Sequence, residues 1–451
     1  MGLKRLSVGA ALVAMGVGLA LVGLPVAGGG VAEAADPWSL TQISDNGVND
    51  EVPQVSGNRI VWRAYDGHDH EIMLCDVSSG AITQLTDNAI EDWEPHIDGS
   101  TVVWLAVPDG ERGELMLRDL DTGTVRHLGS GIWFGRYDIR DGMVVWSSYD
   151  GESPNGSAGL FVHDVATGVT RQIPLERAYS NIWPATDGRY VLYTAGAYEG
   201  PSDVMLYDTI GGTTVRLDHS GVGSPERGPD GRALVDGTAV WSASDGHDRE
   251  VYLFDASTST TEQLTHNEVD DTEPQVGGDR VLWHQLVAPE QAGPPSPDRT
   301  IVLYDRTTEA TSVLGTGFGI LQEDGRLAAW TSWPQRFMTL SVRDLDLGLT
   351  TAIQEDGYDG SWPHLRDGRV VWYRQVTNAR TDSMEIMVAT QGVAPTTPVA
   401  PTPPYVVFSD ATGPYAEAVG QMGRAGIVRG YKVGDHLSSI RSTRCSAPSS
   451  P

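Results

Sequence analysis

The sequence is poor in cysteine, phenylalanine and basic residues. Only 2 of its 451 residues are Cys and 6 are Phe, and 31 Lys and Arg stand against 60 Asp and Glu, giving a formal net charge of −29. Two cysteines are too few for a disulfide scaffold or a cysteine-rich zinc module. A chain this acidic repels phosphate groups, so the composition argues against a nucleic-acid binder. Hydrophobic residues still make up 40% of the chain, which is enough for a packed core.

Long hydrophobic runs are scarce too, and the one that could span a bilayer lies at the N-terminus. Lys4 and Arg5 precede an apolar stretch over residues 6–26, and the small residues AEAA follow at 32–35. This three-part layout is typical of a secretory signal peptide. We therefore predict that residues 1–35 are removed and that the chain is exported. A signal anchor retained in the membrane is the alternative.

Tryptophan is plentiful, and seven of its 13 copies mark one repeated position. Short apolar runs such as RIVW and TVVW end in an aromatic residue eight times, at intervals of 42–48 residues. The eight aromatic anchors are Trp62, Trp104, Trp146, Tyr193, Trp241, Trp283, Trp330 and Trp372. A Gly stands four or five residues before each anchor, and an Asp ends the next apolar run in seven repeats. Such a period indicates a repeat architecture built from one supersecondary unit.

Each repeat reads as four short strands joined by tight turns. Gly and Asp-Gly supply the turns, and the Asp at the end of the third strand is expected to accept backbone N–H groups there. Four-stranded units of this length are the signature of propeller blades. The last repeat lacks a fourth strand, whereas Leu40–Ser44 near the N-terminus resembles a spare one. We predict an all-β, eight-bladed β-propeller over residues 36–392, closed by that spare strand; six or seven blades are the alternative.

The repeats resemble those of the TolB-like β-propeller family. The similarity covers about residues 38–390 and is clearest in QLTDNAIEDWEPHIDGSTVVW, which ends at Trp104. The resemblance implies the propeller fold. It says little about function, because such propellers serve as binding platforms, enzyme modules and assembly factors.

Acidic loops are expected on one face of this propeller. They connect the fourth strand of one blade to the first of the next, and the second strand to the third, as in TDNAIEDWEP and YDGHDHE. One hypothesis is a cation site, for example for Ca²⁺, which takes several carboxylate oxygens. Its candidate ligands are Asp50, Glu51, Asp92, Glu94, Asp270, Asp271 and Glu273. Ordinary turn chemistry of an acidic exported protein is the alternative interpretation. A transition-metal site over residues 68–71, or a plain hairpin tip, is likewise open.

The C-terminal part changes in composition. Residues 393–404 are rich in Pro and Thr and predict an extended linker. Residues 405–451 resemble the first part of an S-layer homology module, a partly α-helical unit that binds secondary cell-wall polysaccharide. The matching residues are Phe408, Asp410, Tyr415, Gly426, Ile427, Gly430, Tyr431 and Gly434. The tail LSSIRSTRCSAPSSP departs from the family pattern, and our hypothesis is a frameshift near residue 437.

These observations favour a non-catalytic exported propeller at a cell wall, which binds a protein or polymer through its acidic face. The sequence contains no G-x-S-x-G elbow, no H-E-x-x-H and no Gly-rich phosphate loop. A secreted propeller enzyme acting on polysaccharide, with or without a metal, is the alternative, since its residues could be adjacent only in space. A structural envelope protein is a third reading.

Overall fold

The computed structural model describes residues 38–108, 112–149, 158–176, 181–196, 202–217, 232–286, 299–332, 338–357, 363–378, 381–392, 430–433 and 436–439. Every regular element over these ranges is a β-strand. The strands form eight four-stranded antiparallel sheets and one hairpin. The predicted eight-bladed β-propeller is thereby confirmed.

The first four blades follow the repeats in order. The first strand of the chain, β1 (Trp38–Gln42), belongs to blade 8. Blade 1 contains β2 (Asp50–Ser56), β3 (Arg59–Tyr65), β4 (His70–Asp76) and β5 (Ala81–Gln84). Blade 2 contains β6 (Glu91–Asp98), β7 (Thr101–Val107), β8 (Gly113–Asp119) and β9 (Val125–Ile132). Blade 3 contains β10 (Tyr137–Arg140), β11 (Met143–Tyr149), β12 (Ala158–Asp164) and β13 (Val169–Gln172). Blade 4 contains β14 (Asn181–Thr186), β15 (Tyr190–Gly196), β16 (Ser202–Asp208) and β17 (Thr213–Arg216).

The remaining blades repeat this order. Blade 5 contains β18 (Leu234–Val235), β19 (Thr238–Ser244), β20 (Arg249–Asp255) and β21 (Thr260–Gln263). Blade 6 contains β22 (Asp271–Gly277), β23 (Arg280–Leu286), β24 (Arg299–Asp305) and β25 (Ala310–Thr316). Blade 7 contains β26 (Phe318–Leu321), β27 (Leu327–Ser332), β28 (Met338–Asp344) and β29 (Leu349–Gly357). Blade 8 contains β30 (His364–Arg366), β31 (Arg369–Asn378) and β32 (Thr381–Gln391).

The ring is closed by the N-terminal strand β1 (Trp38–Gln42), which supplies the fourth strand of blade 8. It pairs antiparallel with β32, from Trp38 opposite Gln391 to Gln42 opposite Met387. The edge of the last blade is therefore covered, as the spare strand in the sequence predicted. A separate hairpin, β33 (Gly430–Val433) and β34 (His436–Ser439), lies in the C-terminal segment.

Apolar side chains of neighbouring blades form the core. The anchor residues Trp62, Trp146, Trp241, Tyr193 and Trp372 are almost completely buried, whereas the fourth strands of blades 1 and 3 are exposed throughout. Burying one such aromatic side chain contributes on the order of 2–3 kcal/mol. The repeated anchor is thus the residue that holds each blade against the next.

The first strands of blades 1, 2 and 6 each contain a proline. They begin three or four residues before it, and each is interrupted by a β-bulge. The residues before the prolines, Val52, Glu94 and Glu273, have positive φ angles of 53°, 48° and 51°. Proline has no N–H for the ladder, and the bulge lets the strand continue past it.

The turn at the end of the third strand follows the prediction. In all seven repeats with an Asp there, its Oδ1 accepts backbone N–H groups two or three residues on, as Asp305 does from Thr307 and Thr308 at 3.0 and 3.1 Å. Hydrogen bonds from Thr307 lower the pKa of Asp305. The predicted structural role of these residues is confirmed.

Candidate functional site

The first strands of the eight blades line the centre of the ring. Each contacts the first strand of the next blade, and the last contacts β2, so the contacts form a closed circle. Because the strands of a blade are antiparallel, the connections between blades and the hairpins between second and third strands share one face. We call this side, with residues 43–49, 66–69, 85–90, 245–248 and 264–270, the acidic loop face.

Three of the predicted cation ligands are buried partners of the anchor tryptophans. Asp50, Asp92 and Asp271 accept the indole N–H of Trp62, Trp104 and Trp283 at 2.9, 2.8 and 2.9 Å. Burial raises the pKa of each carboxyl to about 6, although hydrogen bonds from neighbouring side chains oppose the shift. In these blades the aspartate satisfies the only polar group of an otherwise apolar side chain.

Two of these aspartates, Asp92 and Asp271, also belong to a set of hydrogen bonds that joins adjacent blades. Asn88 donates its side-chain amide to Asp92 Oδ2 at 2.9 Å, and its backbone N–H to Glu71 Oε1 of the preceding blade at 2.7 Å. Asn267 repeats both bonds, to Asp271 at 2.5 Å and to Glu250 at 2.8 Å. We call this set the inter-blade clasp. It explains why Asn, Asp and the third-strand Glu recur in register.

The other four predicted ligands have separate partners. Glu51 is paired with Arg63 at 2.5 Å, and Glu273 with Arg299 at 2.6 Å and with His284 at 3.2 Å. Glu94 accepts the backbone N–H of residue 135 at 2.7 Å, and Asp270 that of residue 249 at 2.9 Å. The seven carboxylates are therefore spread over three blades, and their role as cation ligands stays a prediction.

Two other groups of carboxylates lie close enough to share an ion. Within the described ranges these are Asp66, Asp69 and Glu71 in blade 1, and a second set at the same positions of blade 5, whose oxygens lie within 4.8 Å of one another in each group. Burial raises the pKa of Asp69, and the negative charges of Asp66 and Glu91 add to the shift. The sequence indicated a possible transition-metal site in the first hairpin, over residues 68–71, but it did not indicate that Asp66, Asp69 and Glu71 come together.

The histidines of that hairpin point elsewhere. His68 is exposed at the tip, and His70 Nδ1 lies 2.7 Å from Glu91 Oε2. The His70 ring also contacts Tyr65 and Trp93, with centroids 5.4 and 5.7 Å apart. Adjacent residues of a strand face opposite sides, so His70 turns away from Glu71. The transition-metal hypothesis gains no support from this geometry.

Arginine side chains stack on tryptophans at the channel mouth, by which we mean the end of the ring where the first strands of the blades begin, on the acidic loop face. The guanidinium of Arg63 lies 4.2 Å from the ring of Trp93, and that of Arg136 lies 4.6 Å from Trp183. Both tryptophans are half-buried, and Trp133 nearby in the chain is 41% exposed. Stacked arginine and aromatic rings offer flat, partly desolvated surfaces with fixed orientation. Trp362, whose place in the sequence just before the first strand of blade 8 indicates the same face, lies outside the described residues.

Charged side chains cross the channel toward the other face. Arg140 of blade 3 forms an ion pair with Glu323 of blade 7, and Arg366 of blade 8 lies 2.6 Å from Asp98 and 3.3 Å from Glu323. The fully buried Arg232 donates to backbone carbonyls of blades 7 and 8. Sequence reasoning missed this network, because its members are separated by up to 268 residues. Within the described chain, the bonds tie together blades that are not neighbours.

The predicted S-layer homology residues are largely beyond what the structure describes. Gly430 and Tyr431 lie in strand β33, while Phe408, Asp410, Tyr415, Gly426, Ile427 and Gly434 lie outside the described residues. Residues 414–424, whose sequence favours a short amphipathic helix, also lie outside them. Within the described residues, no helix has the length and apolar character needed to span a membrane.

Solved structures with the same fold belong to proteins of several kinds. A prolyl endopeptidase matches with a TM-score of 0.51 and 11% identity, over 74% of this chain and 55% of that one, so this chain spans about half the length of that enzyme. An oligogalacturonate lyase in complex with manganese matches with a TM-score of 0.46 and 14% identity, over 78% of this chain and 93% of that one. TolB from Acinetobacter baumannii matches with a TM-score of 0.36 and 14% identity, over 71% and 81%.

Neither a scan of protein-family models nor a search of curated proteins found a match. At these identities the structural likeness concerns the fold, and the neighbours include peptidases, a lyase and TolB. The eight four-stranded sheets make the chain a propeller scaffold, and its function has to be argued from its own residues.

Proposed function

We propose that this chain is an exported, cell-wall-associated propeller that acts as a non-catalytic binding platform. Its ligand is a protein or polymer that docks on the acidic loop face, over the channel mouth. A partial S-layer homology module at 405–451 binds secondary cell-wall polymer where that module is intact. The signal-like N-terminus and the composition of the C-terminal segment support export and wall association.

The observation that carries this proposal is the construction of the channel mouth. Arg63 and Arg136 hold half-buried tryptophans, and Glu51 holds Arg63 in place. Anchored aromatic and arginine side chains are the residues that dominate binding energy at interfaces. Exposed carboxylates such as Asp45 and Asp87 lie on the same face, and they attract a partner with basic groups. Because charged pairs cross the channel deeper in the ring, a ligand would be held at the mouth.

Cosedimentation with purified cell-wall sacculi tests the proposal. The mature chain should cosediment, a chain lacking residues 405–451 should bind less, and Trp93→Ala with Trp183→Ala should weaken any binding that the propeller itself contributes. Loss of binding at high salt would fit the electrostatic part, since exposed charges are screened. Turnover of acidic polysaccharide that EDTA abolishes would instead establish the enzyme alternative and refute a non-catalytic role.

A further inference from the structure

Two hairpins with the pattern Asp-Gly-His-Asp-x-Glu join the second and third strands of blades 1 and 5. The two turns are stabilised by equivalent hydrogen bonds. Asp66 Oδ1 accepts the N–H groups of His68 and Asp69 at 2.8 and 3.2 Å, and the N–H of Asp66 donates to the carbonyl of Asp69 at 3.0 Å. In blade 5, Asp245 makes the corresponding bonds to residues 247 and 248. The backbone thus fixes the three carboxylates of each hairpin close together.

Two of the three carboxylates of the first hairpin, Asp69 and Glu71, are buried and incompletely satisfied. Asp69 is 5% exposed and Glu71 is 1% exposed. Both oxygens of Asp69 and Oε2 of Glu71 have no hydrogen-bond partner within the described part of the chain, while Glu71 Oε1 is used by the inter-blade clasp. Buried carboxylate oxygens normally have partners, because desolvation without a partner is costly.

The hairpin of blade 5 has the same pattern. Glu250 is fully buried, and its Oε2 and both oxygens of Asp248 also have no hydrogen-bond partner among the described residues. Glu250 Oε1 is occupied by the N–H of Asn267 at 2.8 Å. The two hairpins lie four blades apart, and each places equivalent carboxylate oxygens within 4.8 Å of one another.

Blade 8 shows what the same position looks like when protein groups satisfy it. The register of β31 with β32 places Ser383 where blade 1 has Asp69, and Glu385 where it has Glu71. Ser383 Oγ donates to Glu385 Oε1 at 2.9 Å. The backbone N–H groups of Asn46 and Gly47 also donate to that carboxylate, at 3.4 and 3.2 Å, so protein groups satisfy it. In blades 1 and 5 an aspartate replaces the serine, so a carboxylate stands where blade 8 has a donor, and a bound cation would neutralise the clustered carboxylates together.

We propose that each of the two hairpins binds one Ca²⁺ ion. The ligands are carboxylate oxygens of Asp66, Asp69 and Glu71 in blade 1, and of the matching residues 245, 248 and 250 in blade 5. An all-oxygen set with several carboxylates is the environment that Ca²⁺ prefers, and water can complete its coordination. Because Glu71 and Glu250 also hold the next blade through the clasp, the ions stabilise the ring. This inference does not depend on the proposed binding role.

Calcium titration of the metal-free mature chain tests the proposal. Calorimetry with CaCl₂ should give two ions per chain, with Kd values of about 10⁻⁴–10⁻³ M, as is common for extracellular modules. Asp69→Ser and Asp248→Ser each install the serine found in blade 8, and each should lower the stoichiometry to one ion. The double variant should bind none and should lose the calcium-dependent rise in Tm. Glu268→Ser removes an exposed carboxylate from the same face and should leave two ions bound.

Circular dichroism on the variants separates loss of calcium binding from loss of the fold. The hydrogen bond from Ser383 to Glu385 in blade 8 shows that a serine at this position is compatible with the blade fold. No heat and no change in Tm for the folded wild-type chain up to several millimolar CaCl₂ would refute the proposal. Two ions still bound by the double variant would refute the assignment to these hairpins. Equal binding of MgCl₂ at the same concentrations would refute the choice of Ca²⁺.

Discussion

The bond between an anchor tryptophan and its aspartate can be tested by removing one N–H group. Trp104→Phe keeps an aromatic ring in the core and deletes the indole N–H that Asp92 Oδ1 accepts at 2.8 Å. Asp92 is 1% exposed, so water does not replace that donor freely. The variant therefore combines a loss of packing with a loss of one charge-assisted hydrogen bond.

A matched substitution separates these two effects. Trp146 occupies the anchor position of blade 3, where Phe134 stands twelve residues earlier in place of an aspartate. Trp146→Phe therefore loses similar volume and no bond to a carboxylate. We expect Trp104→Phe to cost about 1.5–3 kcal/mol more of the free energy of unfolding than Trp146→Phe at pH 8, the usual contribution of a hydrogen bond to a charged group.

The excess should depend on pH. Burial raises the pKa of Asp92 to about 6 in the folded chain, against 3.8 ordinarily, so its contribution favours folding below pH 4 and is lost as the pH rises through 6. The indole N–H opposes this loss because it stabilises the charged form. Without this hydrogen bond the pKa of Asp92 in the folded chain rises further. The free energy of unfolding of Trp104→Phe should therefore lie furthest below that of Trp146→Phe at pH 8. At pH 5, where the carboxyl is protonated, the difference should be about 1 kcal/mol.

Urea unfolding of both variants and of the wild-type chain at pH 5 and pH 8 measures these differences. Equal costs for the two variants at pH 8 would show that the aspartate bond contributes nothing beyond packing. An excess that stayed constant between the two pH values would contradict the assignment of the shifted pKa to Asp92.

Three further predictions follow from the fold. Deleting residues 36–42 removes the strand that closes blade 8, so Tm should fall and aggregation should increase in light scattering, whereas a deletion of equal length in the Pro/Thr-rich segment should change Tm little. Glu323→Gln leaves Arg140 and Arg366 without their shared counter-charge and should lower the free energy of unfolding in urea by about 3 kcal/mol. Asp121→Asn breaks an exposed pair with Arg59, whose side chains are 65% and 32% exposed, and should lower it by under about 1 kcal/mol. Equal losses for the two variants would contradict the importance of the ion pairs that cross the channel. Burial raises the pKa of the Cys75 thiol to about 11, so in a Cys445→Ser background thiol reagents should react slowly until denaturant is added, and fast labelling of the folded chain would contradict its burial.

Much of the architecture could be predicted from the sequence, because it repeats. Eight anchors spaced by one blade length, a glycine before each and an aspartate after the third strand define the same unit eight times. The spare strand before the first repeat predicted the closure, since β1 pairs with β32 as expected. Local chemistry was enough here: turn residues act on their own neighbours, and a repeated core position needs no long-range information.

The roles of the acidic residues were harder to predict. Asp92 and Asp271 look like exposed loop carboxylates in the sequence, but the structure buries them against indole N–H groups of the same blade. The residues that do come together, Asp69 and Glu71, are two apart where the hairpin leads into β4, and they stand out only once their burial and missing partners are known. A carboxylate's role depends on its surroundings, which composition does not report.

The sequence by itself thus determined the number of blades, their strand order and the residue that holds each to the next, because these follow from a period repeated along the chain. Only the tertiary structure decided which charges meet. Arg140 and Glu323 lie in blades on opposite sides of the ring, and their pairing depends on the radius at which eight blades close. That radius is set by packing between blades, a property of the whole ring that no single repeat contains.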